Sequence, residues 1–381
     1  MTKKIYFLLG EMTHLRYFVP LIREFDRRGI KSCLLTYQTN KYNCVNAHSA
    51  QLKQAINKYN TEIQSAHLFK KSNEIIFSIE KAAELADKKG IISLDIFLQN
   101  NHYVLTYQHD YAINYDVFSK YAKKVIFPSK WLLDDCESFI NDHRTAPTKW
   151  SKEKVKSSKN VCIGSPKYDI NLDKQDIIAK YKLSAKRKVL FLFPTPDPSS
   201  SYNFSRQSNG SLYKDNIEHG LTTDQIQSLY KTIKSLDFEV LTKSRAKHLI
   251  PSAFENDIDK CFYDDSWFPH TSMELMEVSD LVIMVDSTSV KECVLQKVPF
   301  INFDLKNEER YVTAIDAYKP LFDFEYCYNY KAFPELEHLK NTITKLANQS
   351  FSQQFDLAID QYLFQPGESS RKIVNFALDK L

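Results

Sequence analysis

Glycine is scarce in this chain, seven residues in 381, and no G-x-G-x-x-G or G-x-x-x-x-G-K-[ST] occurs. That excludes the dinucleotide fingerprint and the P-loop, the two common ways in which bare backbone cradles phosphate. Any phosphate must therefore be held by helix ends and side chains. Cysteine is sparse too: Cys33, Cys44, Cys136, Cys162, Cys261, Cys293 and Cys327 are scattered, odd in number and without a CxxC pair. A disulfide framework is thus excluded, and reduced thiols are expected. There is no HExxH, and Asp257-Ile258-Asp259 lies in a charged stretch rather than at the end of an apolar strand, so no metal site is expected. No apolar run approaches the length of a membrane span, and the five-residue run before Gly10 is too short for a signal peptide. A cytoplasmic chain is the expectation. The charge balance, 51 − 47 = +4, is mild and the signs are interspersed, which gives no reason to expect nucleic acid.

What remains, 43% hydrophobic and 26% charged residues, is the composition of a soluble globular protein long enough for about two domains. The most informative stretch is Val278–Asp304, VSDLVIMVDSTSVKECVLQKVPFINFD. Leu281–Val285 has the unbroken apolar run of a strand buried on both faces of a parallel sheet. It stops at Asp286-Ser287-Thr288-Ser289; a helix over Val290–Gln296 and a strand over Pro299–Phe303 follow. A strand–helix–strand crossover puts Ser287–Ser289 at the carboxyl edge of the sheet, where hydroxyls and unpaired N–H groups favour an anion. The competing reading of the same residues is ordinary N-capping.

The opening of the chain has the same rhythm. Ile5–Leu9 reads as a strand, and Leu15, Phe18, Val19, Ile22 and Phe25 recur at helical spacing up to the C-cap Gly29. Gly10, Glu11 and His14 then occupy a strand-to-helix turn, a usual ligand edge. Residues 44–90 read as helical, polar and solvated. Tyr103–Tyr107 is a strand followed by His109, which stands beside Asp110 and is a candidate general base; it could equally be a locally satisfied loop histidine. Glu11 competes for that role.

The turn Gly164-Ser165-Pro166-Lys167-Tyr168-Asp169 precedes the expected domain boundary. Phe238–Leu241 is a strand ending in Lys243-Ser244-Arg245-Ala246-Lys247-His248, where Lys243, Arg245 and His248 can neutralise a phosphate or form a solvated basic turn. Thr271-Ser272-Met273-Glu274 fits a capping box. The expected division is residues 1–170, residues 171–358, and a C-terminal helix over 359–381 that packs back on the first domain.

The order of these motifs resembles the group that contains CDP-glycerol glycerophosphotransferases, Kdo transferases and non-hydrolysing UDP-N-acetylglucosamine 2-epimerases. Val278–Ile301 is similar to that group's strand–hydroxyl turn–helix block, with Ser287, Thr288, Ser289 and Glu292 in register. Gly164–Asp169 resembles the group's Gly-x-Pro/Asn-x-x-Asp turn, while Gln108-His109-Asp110 resembles the Trp/Gln-His-Gly segment and Pro366–Ile373 the closing turn of its glycerophosphotransferase-like members. The resemblance implies an α/β protein of GT-B architecture, two Rossmann-like domains facing across a cleft. The first domain would hold the acceptor, near Gly10, His14, Gly164 and Pro166, with His109 or Glu11 as base. The second would hold the nucleotide donor: Asp286, Ser287, Thr288 and Ser289 at the phosphates, Glu292 at the ribose, and Lys243, Arg245 and His248 against the leaving charge.

The implied activity is metal-independent transfer of a sugar from a nucleotide sugar to a glycan or lipid-linked acceptor in surface polysaccharide synthesis. No cofactor is expected, and peripheral association with the inner face of the membrane is. CDP-polyol phosphotransfer, a 2-epimerase and a non-catalytic nucleotide-sugar binding protein are the alternatives.

Overall fold

The computed structural model describes residues 4–37, 52–53, 56–57, 59–80, 82–106, 115, 119–134, 158–194, 221–244, 250, 254–263, 268–285, 287–304 and 316–379. The chain forms two compact units. The first comprises Met1–Asn171, Trp267–Pro269 and Tyr362–Leu381; the second comprises Leu172–Ser266 and His270–Gln361.

The first unit is built on seven strands: β1 (Lys4–Leu9), β2 (Lys31–Thr36), β3 (Thr61–Ser65), β4 (Ile75–Ile79), β5 (Asn101–Leu105), β6 (Lys124–Phe127) and β7 (Asn160–Cys162). They pair in the order β3-β2-β1-β4-β5-β6-β7, every pair parallel. Alternation along β1 explains how both faces are covered. Ile5, Phe7 and Leu9 pack with α1 (Leu15–Arg27) and with Ile373, Val374 and Ala377 of the C-terminal helix Ser369–Leu378. Tyr6 and Leu8 face α2 (Ala82–Lys88) and α3 (Leu94–Leu98), through Ala83, Ala86 and Phe97.

The second unit repeats the plan: β8 (Lys188–Leu192), β9 (Glu239–Lys243), β10 (Lys260–Phe262), β11 (Leu281–Val285), β12 (Phe300–Phe303) and β13 (Cys327–Tyr330), in the order β10-β9-β8-β11-β12-β13 and again parallel. Its helices are α4 (Lys174–Tyr181), α5 (Thr223–Ser235), α6 (Thr271–Glu277), α7 (Val290–Leu295), α8 (Leu336–Asn348) and α9 (Ser352–Tyr362). In each unit the chain starts at the middle of the sheet, winds outward over three strands and returns to the other side of the first strand. The winding therefore reverses between β1 and β4, and again between β8 and β11. Ligands of open parallel sheets bind outside the carboxyl ends of the strands at such reversals.

Two expectations are corrected. The described residues of 44–90 are not a solvated helical excursion. They contain β3 and β4, and Ile75-Ile76-Phe77-Ser78-Ile79 is buried throughout between β1 and β5. Five apolar or small residues rich in isoleucine are a strand signal in themselves, obscured by the lysines on either side. Nor does Thr271–Glu274 form a capping box. His270 is the N-cap of α6 and makes no side-chain cap bond. Glu274 instead accepts from Lys180 Nζ (2.7 Å) and Tyr181 Oη (2.5 Å). The capping box belongs to α5, where Thr222 Oγ1 accepts from Gln225 N–H and the Gln225 side chain accepts from Thr222 N–H.

Candidate functional site

At the reversal of the second unit, β11 ends in a turn closed by its own hydroxyl. Ser289 N–H donates to Ser287 Oγ (3.2 Å) and Val290 N–H to the Ser287 carbonyl (3.3 Å). Ser289 is the N-cap of α7 and has helical backbone angles, but its hydroxyl makes no cap bond. A capping serine instead holds extended angles and accepts from the second or third helical N–H. Ser287, Thr288 and Ser289 are all partly exposed. Behind them α7 buries two charged side chains, Lys291 and Glu292, with the Lys291 ammonium 5.2 Å from the centre of the Tyr318 ring.

Lys243 is brought to the same edge. It ends β9, level with Leu192 of β8; the β8–β11 register pairs Phe191 with Ile283, so Leu192 is level with Met284. Lys243 and Met284 thus flank the end of β8, about 10 Å apart in backbone at about 4.8 Å per strand, and the Ser287 turn begins three residues beyond Met284 on the same carboxyl edge. The Lys243 side chain is buried, and its ammonium donates to the Ser244 carbonyl. Phe193 N–H donates to the Lys243 carbonyl at 3.0 Å, which keeps this edge in register. Hydroxyls and cations at a strand-end crevice can take up an anion of the phosphate class. Arg245, His248 and Asp286 lie outside the described residues, as does His109 of the first unit.

The reversal of the first unit is lined by carboxyl-bearing residues. Glu11 follows Gly10 at the end of β1, and His14 N–H closes the turn on the Glu11 carbonyl at 3.1 Å. His14 is buried, its ring 6.1 Å from that of Phe18. Glu80, which directly follows β4 and is 3% exposed, is a buried carboxylate that the sequence reading passed over. Its signal was available once Ile75–Ile79 is read as a strand. Glu11, whose Oε2 accepts from Thr13 Oγ1 at 3.5 Å, is the partly exposed carboxylate here and can accept a hydrogen bond from a hydroxyl-bearing group.

Gly164 and Pro166 belong elsewhere in the first unit, to a bracket formed with residues 364–370. Asp169 Oδ1 accepts from Gly367 N–H (2.9 Å) and Ser369 N–H (3.2 Å), and Oδ2 from Ser370 N–H. Burial raises the pKa of this carboxyl, while bonds from Ser370, Ser369 and Gly367 act against the rise. The Tyr168 ring lies 5.6 Å from that of Phe364. A Cβ on Gly164, whose φ is +115°, would stand 2.2 Å from Ser369 Oγ. Two motifs about two hundred residues apart in sequence are thereby one structure. Among the described residues no group of three or more His, Cys, Asp or Glu could hold a metal ion, and no helix is long and apolar enough to cross a membrane.

No protein-family model matches the sequence, and no curated protein matches it. Solved structures do match over its whole length. A variant of the wall teichoic acid polymerase TagF, soaked with CDPG, is 16% identical with a TM-score of 0.58, covering 100% of this chain and 89% of TagF. LpCGTa in complex with UDP is 10% identical at 0.53, covering 99% of each chain. The UDP-GlcNAc 2-epimerase of Neisseria meningitidis bound to UDP-GlcNAc is 13% identical at 0.53, covering 99% of this chain and 100% of its own. With two Rossmann-like sheets in the order given above, the chain has the GT-B fold of these proteins.

Proposed function

We propose that this chain is a glycosyltransferase that moves a sugar from a nucleotide-activated donor to a glycan or lipid-linked acceptor. The observation that carries the reading is the Ser287–Ser289 turn. Its hydroxyls stand at the reversal of the second sheet, with Lys243 across the end of β8, and the Ser289 hydroxyl is not spent on capping α7. Neighbours of the same fold bind UDP, UDP-GlcNAc and CDPG, which supports a nucleotide diphosphate as the anion. In this reading Ser287, Thr288 and Ser289 donate to the donor phosphates and Glu292 accepts from the ribose. Lys243, Arg245 and His248 offset the negative charge that grows on the leaving nucleotide. The acceptor oxygen attacks the anomeric carbon as the bond from that carbon to the phosphate oxygen breaks. Its proton passes to Glu11 or His109. Fixed cations and hydroxyls supply the charge stabilisation, so the reaction proceeds without a metal ion.

A second reading, transfer of a polyol phosphate from a CDP-polyol, is favoured by the closing turn at 366–373, which resembles that of glycerophosphotransferase-like chains and is tied to Asp169 by hydrogen bonds. There the acceptor would attack phosphorus rather than carbon. A thermal-shift panel of CMP, CDP, UDP, GDP, CDP-glycerol and the nucleotide sugars, followed by turnover assays in excess EDTA, separates the readings, because a ligand of the native state raises its stability with affinity. Turnover of a nucleotide sugar in EDTA is the expected result. Turnover of CDP-glycerol alone establishes the second reading, and loss of activity in EDTA that magnesium restores overturns metal independence.

A further inference from the structure

Gly10 is the residue on which the first unit's reversal turns, yet its backbone is not in the positive-φ region that would require glycine. The requirement comes from a neighbour. A Cβ at Gly10 would lie 2.5 Å from Tyr37 Oη, 3.0 Å from Cζ and 3.3 Å from Cε1. Tyr37 immediately follows β2, is buried, and donates from Oη to the Ala82 carbonyl at 2.8 Å, in the first residue of α2. Its phenol therefore runs over the end of β1 to the segment after β4, crossing the reversal. The ring is held at both ends, by its own strand and by Ala82, so it cannot swing aside cheaply for an added methyl group.

We propose that Tyr37 is the positioning residue of this crevice: its phenol, seated on the bare backbone of Gly10 and anchored to Ala82, fixes the Gly10–His14 turn and with it the direction of the Glu11 side chain. The Glu11 carboxylate contributes to the rise in the Tyr37 pKa, after burial, so the two groups are near enough to interact. The space over the first strand end, which a glycine-rich turn would leave to a pyrophosphate, is filled by a side chain. The role given to Glu11 rests on the proposed transferase reading; the clamp itself does not.

The test uses the full chain with Tyr37→Phe, Gly10→Ala and the double variant, read by amide exchange and by turnover. The His14 amide, bonded to the Glu11 carbonyl at 3.1 Å, reports on the turn. Tyr37→Phe should speed its exchange at least tenfold relative to amides of β5. Gly10→Ala should do the same, and the double variant should be no worse than Gly10→Ala alone, because removing Oη removes the closest clash. In turnover, Tyr37→Phe should lower kcat with the donor KM unchanged and shift the acidic limb of the pH profile, which loss of stability alone would not do. Unchanged His14 exchange in Tyr37→Phe, or strictly additive effects, overturns the clamp. Altered exchange with unaltered kcat and pH profile overturns the positioning role. Should the parent turn over none of the nucleotide sugars, the transferase reading fails, and the exchange experiment still decides the clamp.

Discussion

The Asp169 bracket gives the sharpest energetic prediction. The C-terminal helix lacks a cap of its own: Glu368 at its N-cap makes no cap bond, and its carboxylate pairs with Arg371 and Lys372 instead. Asp169 supplies the cap from outside the helix, accepting from the N–H groups of Gly367, Ser369 and Ser370. Replacement by alanine removes an N-cap, about 0.5–2 kcal/mol. It also leaves N–H groups of buried residues without an acceptor, at about 1–3 kcal/mol. The two describe the same lost acceptor and do not add, so Asp169→Ala should destabilise the first unit by about 1–3 kcal/mol. Asp169→Asn retains the Oδ1 acceptor but replaces the oxygen that meets Ser370 N–H, and should cost about half as much. Because the chain has two units, a single unfolding midpoint is a poor gauge. Amide exchange in Ser369–Leu378 and α1, which pack together, reads the affected unit directly. A loss under about 0.5 kcal/mol in Asp169→Ala, with C-terminal helix exchange unchanged, would refute the capping argument.

Gly164→Ala should cost about 2–4 kcal/mol, from positive-φ strain and from the clash with Ser369, and a parent-like urea transition would contradict this. His102 is fully buried between the Tyr121 carbonyl and Ser78 Oγ, and burial pushes its pKa down to about 4. Its folded pKa lies below the unfolded value of about 6.5, so the neutral ring contributes stability above pH 6.5 that is lost as pH falls towards 4, on the order of 3 kcal/mol. Urea midpoints of parent and His102→Gln between pH 7.5 and 4.5 should diverge in slope, and parallel profiles would sink the assignment. For the proton acceptor, Glu11→Gln or His109→Ala should lower kcat by roughly 10²–10⁴-fold with donor affinity kept; full turnover in both variants excludes both residues as the base.

Much of this architecture was legible in the chain. Leu281–Val285 and Ile5–Leu9 announce buried parallel strands because nothing polar interrupts them, and α1 shows its apolar stripe at every turn. β10 and β13 are short strands of three and four residues with polar or charged members, and no periodicity can be read from so few positions. At the sites, hydroxyls and cations at strand ends could be picked out because the strands themselves could. Tyr37 could not. Its importance comes from strand order: β2 and β4 both flank β1, so Tyr37 and Ala82, 45 residues apart, meet over Gly10. No local pattern contains that information. Gly164–Asp169 and Pro366–Ile373 each stood out as motifs, but only the folded chain joins them through hydrogen bonds.

The central claim, that the Ser287–Ser289 turn seats the phosphates of a nucleotide, is tested most directly by calorimetric titration of UDP and CDP into the parent and into a variant with Ser287, Thr288 and Ser289 all replaced by alanine. Lost hydrogen bonds to a charged group should weaken binding by about 1–3 kcal/mol, roughly five- to 150-fold in Kd. Folding stability should fall by less, about 0.5–1.5 kcal/mol, because only the bond from Ser289 N–H to Ser287 Oγ is lost from the turn and the Ser289 hydroxyl caps nothing. Nucleotide affinity equal to the parent's in the correctly folded triple variant would contradict the account and leave the turn as no more than the link between β11 and α7.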